Sequence, residues 1–195
     1  DICFDMEDWE YGYAKAKEFY LKAQELNSTD HTVRDRLGDL EIKAMRLEIE
    51  KIEAQCRAHP NDVELQAKLK EARQNRQRFE ISEYERRVKA QPLKAAFHNR
   101  LGELYFQVGR YEEAIAELQQ AARDPKFKIS GLTLLGRCFH ATNQLDMAIA
   151  QFQKAREGQE LFDKIKDSLY YEAVVWEAKG DLASVSYTHL RAHET

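Results

Sequence analysis

Hydrophobic and small residues along the chain fall into two helical registers that repeat. Within residues 95–123, Leu101, Tyr105 and Val108 recur at helical intervals, as do Tyr111, Ala114, Ile115, Leu118 and Ala121. Each run keeps the three-four spacing of an amphipathic helix. Gly109-Arg110 separates the runs, where a tight turn would join antiparallel helices. Asp124-Pro125 ends the second run, because proline cannot continue a helix. Leu101 then recurs as Leu135, Gly102 as Gly136, Tyr105 as Phe139, Ala114 as Ala148, Leu118 as Phe152 and Ala121 as Ala155, at a constant offset of 34 residues. Such a period predicts stacked helical hairpins, each needing neighbours to bury its faces. Gly102 and Ala114 are small where adjacent helices must come close.

The pattern Leu101-Gly102, Tyr105, Gly109, Tyr111, Ala114, Leu118, Ala121 resembles the tetratricopeptide repeat. The following unit, Leu135-Gly136, Phe139, Asn143, Leu145, Ala148, Phe152, Ala155, resembles it in the same register. The resemblance implies an all-α solenoid whose work is to hold another molecule. It is silent on which molecule, because these are packing positions.

Upstream the pattern changes. Residues 1–12 are aromatic and acidic with no clear period, and a helix is expected from about Tyr13 to Leu26. Its Ala16, Tyr20 and Ala23 match the second helix of a repeat, so residues 1–30 read as a partial repeat. Asn27-Ser28-Thr29-Asp30 offers capping residues for the next helix. Gly38 follows Leu37 at the repeat's small position. Beyond it Ile42, Met45, Ile49, Ile52 and Cys56 form a coiled-coil-like seam. His59-Pro60-Asn61-Asp62 is a turn, and a second charged helix carries Leu65, Leu69, Ala72, Phe79, Tyr84 and Val88. Residues 31–92 are therefore expected to form one long antiparallel hairpin of helices about 40 Å long. Two ordinary repeats broken near residues 44 and 76 are the alternative. Expected helices lie near 13–26, 31–58, 62–90, 95–108, 111–123, 129–141, 145–157 and 161–178.

Residues 93–184 read as two complete repeats plus a truncated third. Trp176 stands four residues before Gly180, as Tyr105 does before Gly109, and Gly180-Asp181-Leu182 mirrors Gly109-Arg110-Tyr111. The last stretch, VSYTHLRAHET over residues 185–195, lacks the repeat pattern. It resembles a translated sequencing adapter and is expected to be a non-native tail. The chain opens with Asp1 rather than Met, which suggests a fragment.

Composition narrows the function classes. The chain has 195 residues, 33% of them charged, and only 8 Gly and 3 Pro, which suits an all-helical protein. Its net charge of -4 argues against nucleic-acid binding. No apolar run approaches a membrane span. Cys3, Cys56 and Cys138 are odd in number and far apart, so a reducing compartment such as the cytoplasm is favoured.

Candidate chemistry is sparse. His189 and His193 share a helical face but fall inside the suspected tail, so no metal or other cofactor is expected. Cys138 and His140 point apart on a helix, and Cys138 reads as packing. His31, His59 and His98 read as surface or cap residues. Glu83 and Arg87 read as a helix-surface ion pair, and Arg73, Arg76, Arg78, Arg86 and Arg87 as part of a solvated face. With no phosphate loop, nucleophile elbow or zinc-ligand spacing, the chain is not expected to be an enzyme.

The expected function is a protein-interaction scaffold that binds a peptide or partner domain. The alternatives are a coiled-coil element for self-association through the long hairpin, which would make a homo-oligomer, and a regulatory appendage of a larger signalling enzyme. The resemblance implies that the first helix of each repeat lines a concave face. Carried over residue by residue, the inward positions are Asn99, Glu103 and Phe106 in one repeat and Thr133, Arg137 and His140 in the next. Family members that clamp a terminal carboxylate use asparagine and lysine where this chain has Glu103 and Thr133, which disfavours that ligand. A peptide or helix with an apolar anchor and mixed charges suits the surface better.

Overall fold

The structure, a computed structural model, describes residues 6–157 and 162–180, with side chains over 12–157 and 165–180. Cys3, Asp181-Leu182 and the suspected tail with His189 and His193 lie outside the described residues. The described elements are helical: α1 (Met6–Leu26), α2 (His31–Ala58), α3 (Val63–Ala90), α4 (Ala95–Gln107), α5 (Tyr111–Ala121), α6 (Lys128–Ala141), α7 (Leu145–Arg156) and α8 (Phe162–Lys179). No strand occurs among the described residues, and none of these helices is long and apolar enough to cross a membrane. The chain divides into two compact units, Asp1–Ala90 and Gln91–Thr195.

In the first unit α1 packs on α2, and α2 packs on α3. Both α2 and α3 run unbroken for 28 residues, so the long hairpin forms rather than two short repeats. Asp30 caps α2 through a bond from the Thr32 amide at 2.8 Å. Asp62 caps α3 by accepting from the Glu64 and Leu65 amides at 3.0 Å. Each carboxylate satisfies amides that a helix leaves open at its start. Helix α1 begins at Met6, earlier than Tyr13, because Gly12 does not interrupt it. Gly12 faces open space, and a lone helical glycine costs only about 1 kcal/mol.

The base of the hairpin corrects the sequence expectation. Arg87 is buried at 3% side-chain exposure, and its partner Glu83 at 10%. Arg87 Nη2 donates to the Asp35 carbonyl oxygen at 2.7 Å and to Asp39 Oδ1 at 2.8 Å, while its Nε reaches Glu83 Oε1 at 2.9 Å. Arg86 Nη2 donates to Asp35 Oδ1 and to Glu83 Oε1, at 2.7 and 2.6 Å. The expected surface pair is thus half of a buried ionic network that ties α3 to α2. Burial disfavours the Arg87 charge, but the bonds from Asp39 and Glu83 outweigh it and raise its pKa. Gly38 lies directly beneath this network.

In the second unit α4 pairs with α5 and α6 with α7. Helix α6 also packs on α5, and α8 on both α6 and α7. Leu101, Tyr105, Ala114, Leu118, Leu135, Phe139, Ala148 and Phe152 are all buried, as the period predicts. The small positions have the expected cause. A Cβ on Gly102 would stand 2.6 Å from Leu118 Cγ, and one on Gly136 would stand 2.6 Å from Phe152 Cε1.

The hairpin turns repeat as well. Arg110 N donates to Tyr105 O at 2.9 Å, and Gln144 N donates to Phe139 O at 2.8 Å. Gly109 and Asn143 occupy the left-handed position in these turns, with φ of 77° and 59°. This is the six-residue closure that ends many helices. Gly180 takes the same conformation after α8, at φ 79°, in keeping with its alignment to Gly109.

Candidate functional site

Helices α4 and α6, the first helices of the α4–α5 and α6–α7 hairpins, line a groove of about 830 Å³ together with α8. Four of the six residues expected to face inward line it: Glu103, Phe106, Thr133 and Arg137. Lys126, from the turn after α5, and Tyr171, from α8, line it too, and neither stands out in the sequence. Asn99 and His140 are not among the lining residues. Asn99 is buried and donates from Nδ2 to Glu103 Oε1 at 2.7 Å, so it orients the acid from below. His140 is half-buried in the last turn of α6.

Arg137 is the centre of the site. Its guanidinium carbon lies 4.6 Å from the Phe106 ring centroid and 4.4 Å from that of Tyr171. The two rings come from α4 and α8, so the guanidinium is clasped between neighbours on either side of α6. Cation–π attraction of about 0.5–2 kcal/mol per ring holds it there. The rings are themselves fixed. Phe106 meets Tyr111 edge-on at 5.6 Å, and Tyr171 stacks on Phe152 at 6.3 Å.

Glu103 does not pair with Arg137. Its carboxylate accepts from Arg100 Nη1 at 2.9 Å as well as from Asn99. The acid is thereby largely neutralised on its own helix, and Arg137 keeps its N–H groups for another partner. The sequence could not choose between these pairings, since Arg100 and Arg137 both fall within reach of Glu103 in a stacked repeat.

Two buried polar groups outside the groove were not expected. His98 is buried rather than a surface or cap residue. Its Nδ1 lies 2.6 Å from Glu117 Oε2, and its Nε2 lies 2.9 Å from the Pro92 carbonyl oxygen. It ties the start of α4 to α5. Glu172, at 2% exposure, pairs with Arg156 and accepts from Gln153 Nε2 at 3.0 Å. It ties α8 to α7. Cys138 is fully buried, and burial pushes its thiol pKa up to about 12.

Stacked helical hairpins with a groove on their first helices define an all-α repeat architecture. A tetratricopeptide repeat family model matches residues 71–126. Solved structures align along nearly the whole chain. A crystal structure of MamA protein gives a TM-score of 0.57 at 19% identity, covering 93% of this chain and 92% of that one. MamA 41-end from Desulfovibrio magneticus RS-1 gives 0.55 at 18% identity, covering 92% and 94%. BtubC (BKLC) from P. vanneervenii gives 0.53 at 18% identity, covering 94% and 89%. At such identities the likeness is one of fold. No curated protein sequence matches the chain. The chain thus carries a tetratricopeptide repeat match over residues 71–126 within an all-helical fold.

Proposed function

We propose that the chain is a non-catalytic interaction scaffold that takes a peptide, or a segment of a partner domain, in the groove of α4, α6 and α8. The observation that carries this reading is the clasp of Arg137 between Phe106 and Tyr171. A surface arginine without a role samples many rotamers, and ordering it costs about 2 kcal/mol of side-chain entropy. Here the ordering is already met by two rings, one from α4 and one from α8. Binding energy at such a site is not consumed in fixing the side chain. The groove also combines half-buried apolar side chains with a few directional polar groups, a mixture suited to peptide capture.

The test is selection of peptides from a random display library on the purified chain. Selected peptides should shift NMR signals of α4 and α6. A Phe106→Ala, Arg137→Ala double variant should keep its helical circular dichroism and bind them at least tenfold more weakly. Unchanged affinity in the folded variant would move the binding surface away from the groove.

A further inference from the structure

We infer that the groove reads an internal acidic side chain of its partner, an Asp or Glu within an extended segment, received edge-on by Arg137 beside an apolar residue. This deepens the proposed interaction reading and rests on it.

The argument begins with charge. Four ionisable side chains other than tyrosine line the groove: Glu103, Lys126, Arg137 and Asp167. Glu103 is matched by Arg100 at 2.9 Å. Among the described residues no acid pairs with Arg137 or with the ammonium of Lys126. The closest partners of these cations are aromatic faces, with the Lys126 ammonium 5.6 Å from the Phe127 ring centroid. Two cations therefore stand against one unmatched acid, Asp167, and the surplus favours an anionic occupant.

Geometry then selects the form of the anion. The Arg137 guanidinium carbon lies over both the Phe106 and Tyr171 rings. Its N–H donors suit a planar carboxylate bonded side by side. Apolar residues Pro125, Ile129 and Leu134 line the same groove and offer a seat for a neighbouring aliphatic side chain.

The carboxylate belongs within the segment rather than at its end. A chain terminus needs several donors converging on one point. Here the position one turn before Arg137 on α6 is Thr133, which brings no second cation to that point. The groove also crosses three helices, so a bound segment passes over Arg137 in both directions.

Four pools of twelve-residue peptides test this, each with a fixed Leu and randomised Gly, Ser and Ala elsewhere. Three are acetylated and amidated and carry Glu, Gln or Lys two residues after the Leu. The fourth carries Gln and a free C-terminal carboxylate. Binding is read from the Arg137 Nε–H signal and the α4 and α6 amides in ¹⁵N spectra. The Glu pool should shift Arg137 Nε–H and bind at least tenfold more tightly than the Gln and Lys pools. Arg137→Lys keeps the charge but loses the planar rim, and it should erase that preference while helical content stays unchanged. Equal binding of the Glu and Gln pools at the groove would overturn the inference and leave the interaction reading standing. Tighter binding of the free-carboxylate pool would overturn it in favour of a chain end. A groove silent to all four pools would overturn both the inference and the groove reading.

Discussion

Gly38 on α2 lies so close to Glu83 on α3 that a Cβ placed there would stand 2.2 Å from Oε1 and 2.5 Å from Cδ. Glu83 cannot swing aside freely, because Arg86 and Arg87 both hold its carboxylate, at 2.6 and 2.9 Å. Gly38→Ala gains about 1 kcal/mol of helix propensity but disrupts charge-assisted bonds worth about 1.5–3 kcal/mol each. The expected net effect is a loss of about 1–2 kcal/mol. Gly12→Ala, in open space, should instead stabilise by about 0.5–1 kcal/mol. Urea unfolding of the two variants should give midpoints on opposite sides of the parent. Arg87→Met removes the bonds to Glu83, Asp39 and the Asp35 carbonyl but leaves Arg86 on both Glu83 and Asp35, and should cost about 2–3 kcal/mol.

Asn143 adopts the left-handed conformation that glycine takes at the equivalent turn. Any other side chain strains there, by about 1–2 kcal/mol. Asn143→Ala should lower stability by about 1 kcal/mol, whereas Asn143→Gly should leave it unchanged or slightly higher. Thermal unfolding of both variants checks the pair, and equal losses would mean that the turn tolerates φ > 0 without preference.

Cys138 should be inert. Its thiol is shut away by burial, which lifts its pKa to about 12 despite the neighbouring Arg137 charge, and the thiolate is the reactive form. Cys56 is partly exposed. In a Cys3→Ser background, iodoacetamide at pH 8 should label Cys56 alone in the folded protein and both cysteines after denaturation. Labelling of Cys138 without denaturant would show that α6 opens locally.

The contact of α1 with α2 should respond to pH in a defined direction. Burial pushes the Glu41 pKa up, but bonds from Lys17 and Tyr13 outweigh it and hold the value below the usual carboxylate range. Lys17 Nζ lies 2.5 Å from Glu41 Oε1, and Tyr13 donates to Oε2 at 2.9 Å. A depressed carboxylate stabilises the fold above its unfolded value, about 4.5, and loses that contribution as pH falls through the folded value. Lys17 is raised, chiefly by its bond with Glu41, so its share persists below about 10.5 and is lost as pH climbs through its folded value. Both groups are partly exposed, which limits the effect to about 0.2–1 kcal/mol. Protection of α1 amides should fall between pH 5 and 3, and Glu41→Gln should flatten that fall.

The repeat core was legible because its signal is periodic. Leu101 and Leu135 are buried for the same reason, and each confirms the register of the other. The turns were legible because Gly109 and Pro125 act locally. The ionic network was not. Glu83 and Arg87, four residues apart, look the same whether they face water or another helix. Only the approach of Asp35 and Gly38, about fifty residues away in sequence, decides the matter. His98 was misread for the same cause, since Glu117 reaches it from the next helix. In the groove, four of the six positions followed from the register. Tyr171 escaped because Gly180 falls three residues later than the 34-residue period would put it, so α8 is out of register, and Lys126 because it sits in a turn.

The ends of the α2–α3 hairpin are held unequally. The buried side chains of α3, Glu80, Ile81, Glu83 and Arg87, all lie in its C-terminal half, while those of α2 reach no further than Ile49. From Glu50 to Phe79 no side chain is buried. Such a hairpin behaves like a zipper stitched shut at its base, where opening begins at the tip and meets rising resistance toward the charged knot. The tip around His59 to Asp62 can therefore absorb insertions, tags or cleavage that the base could not.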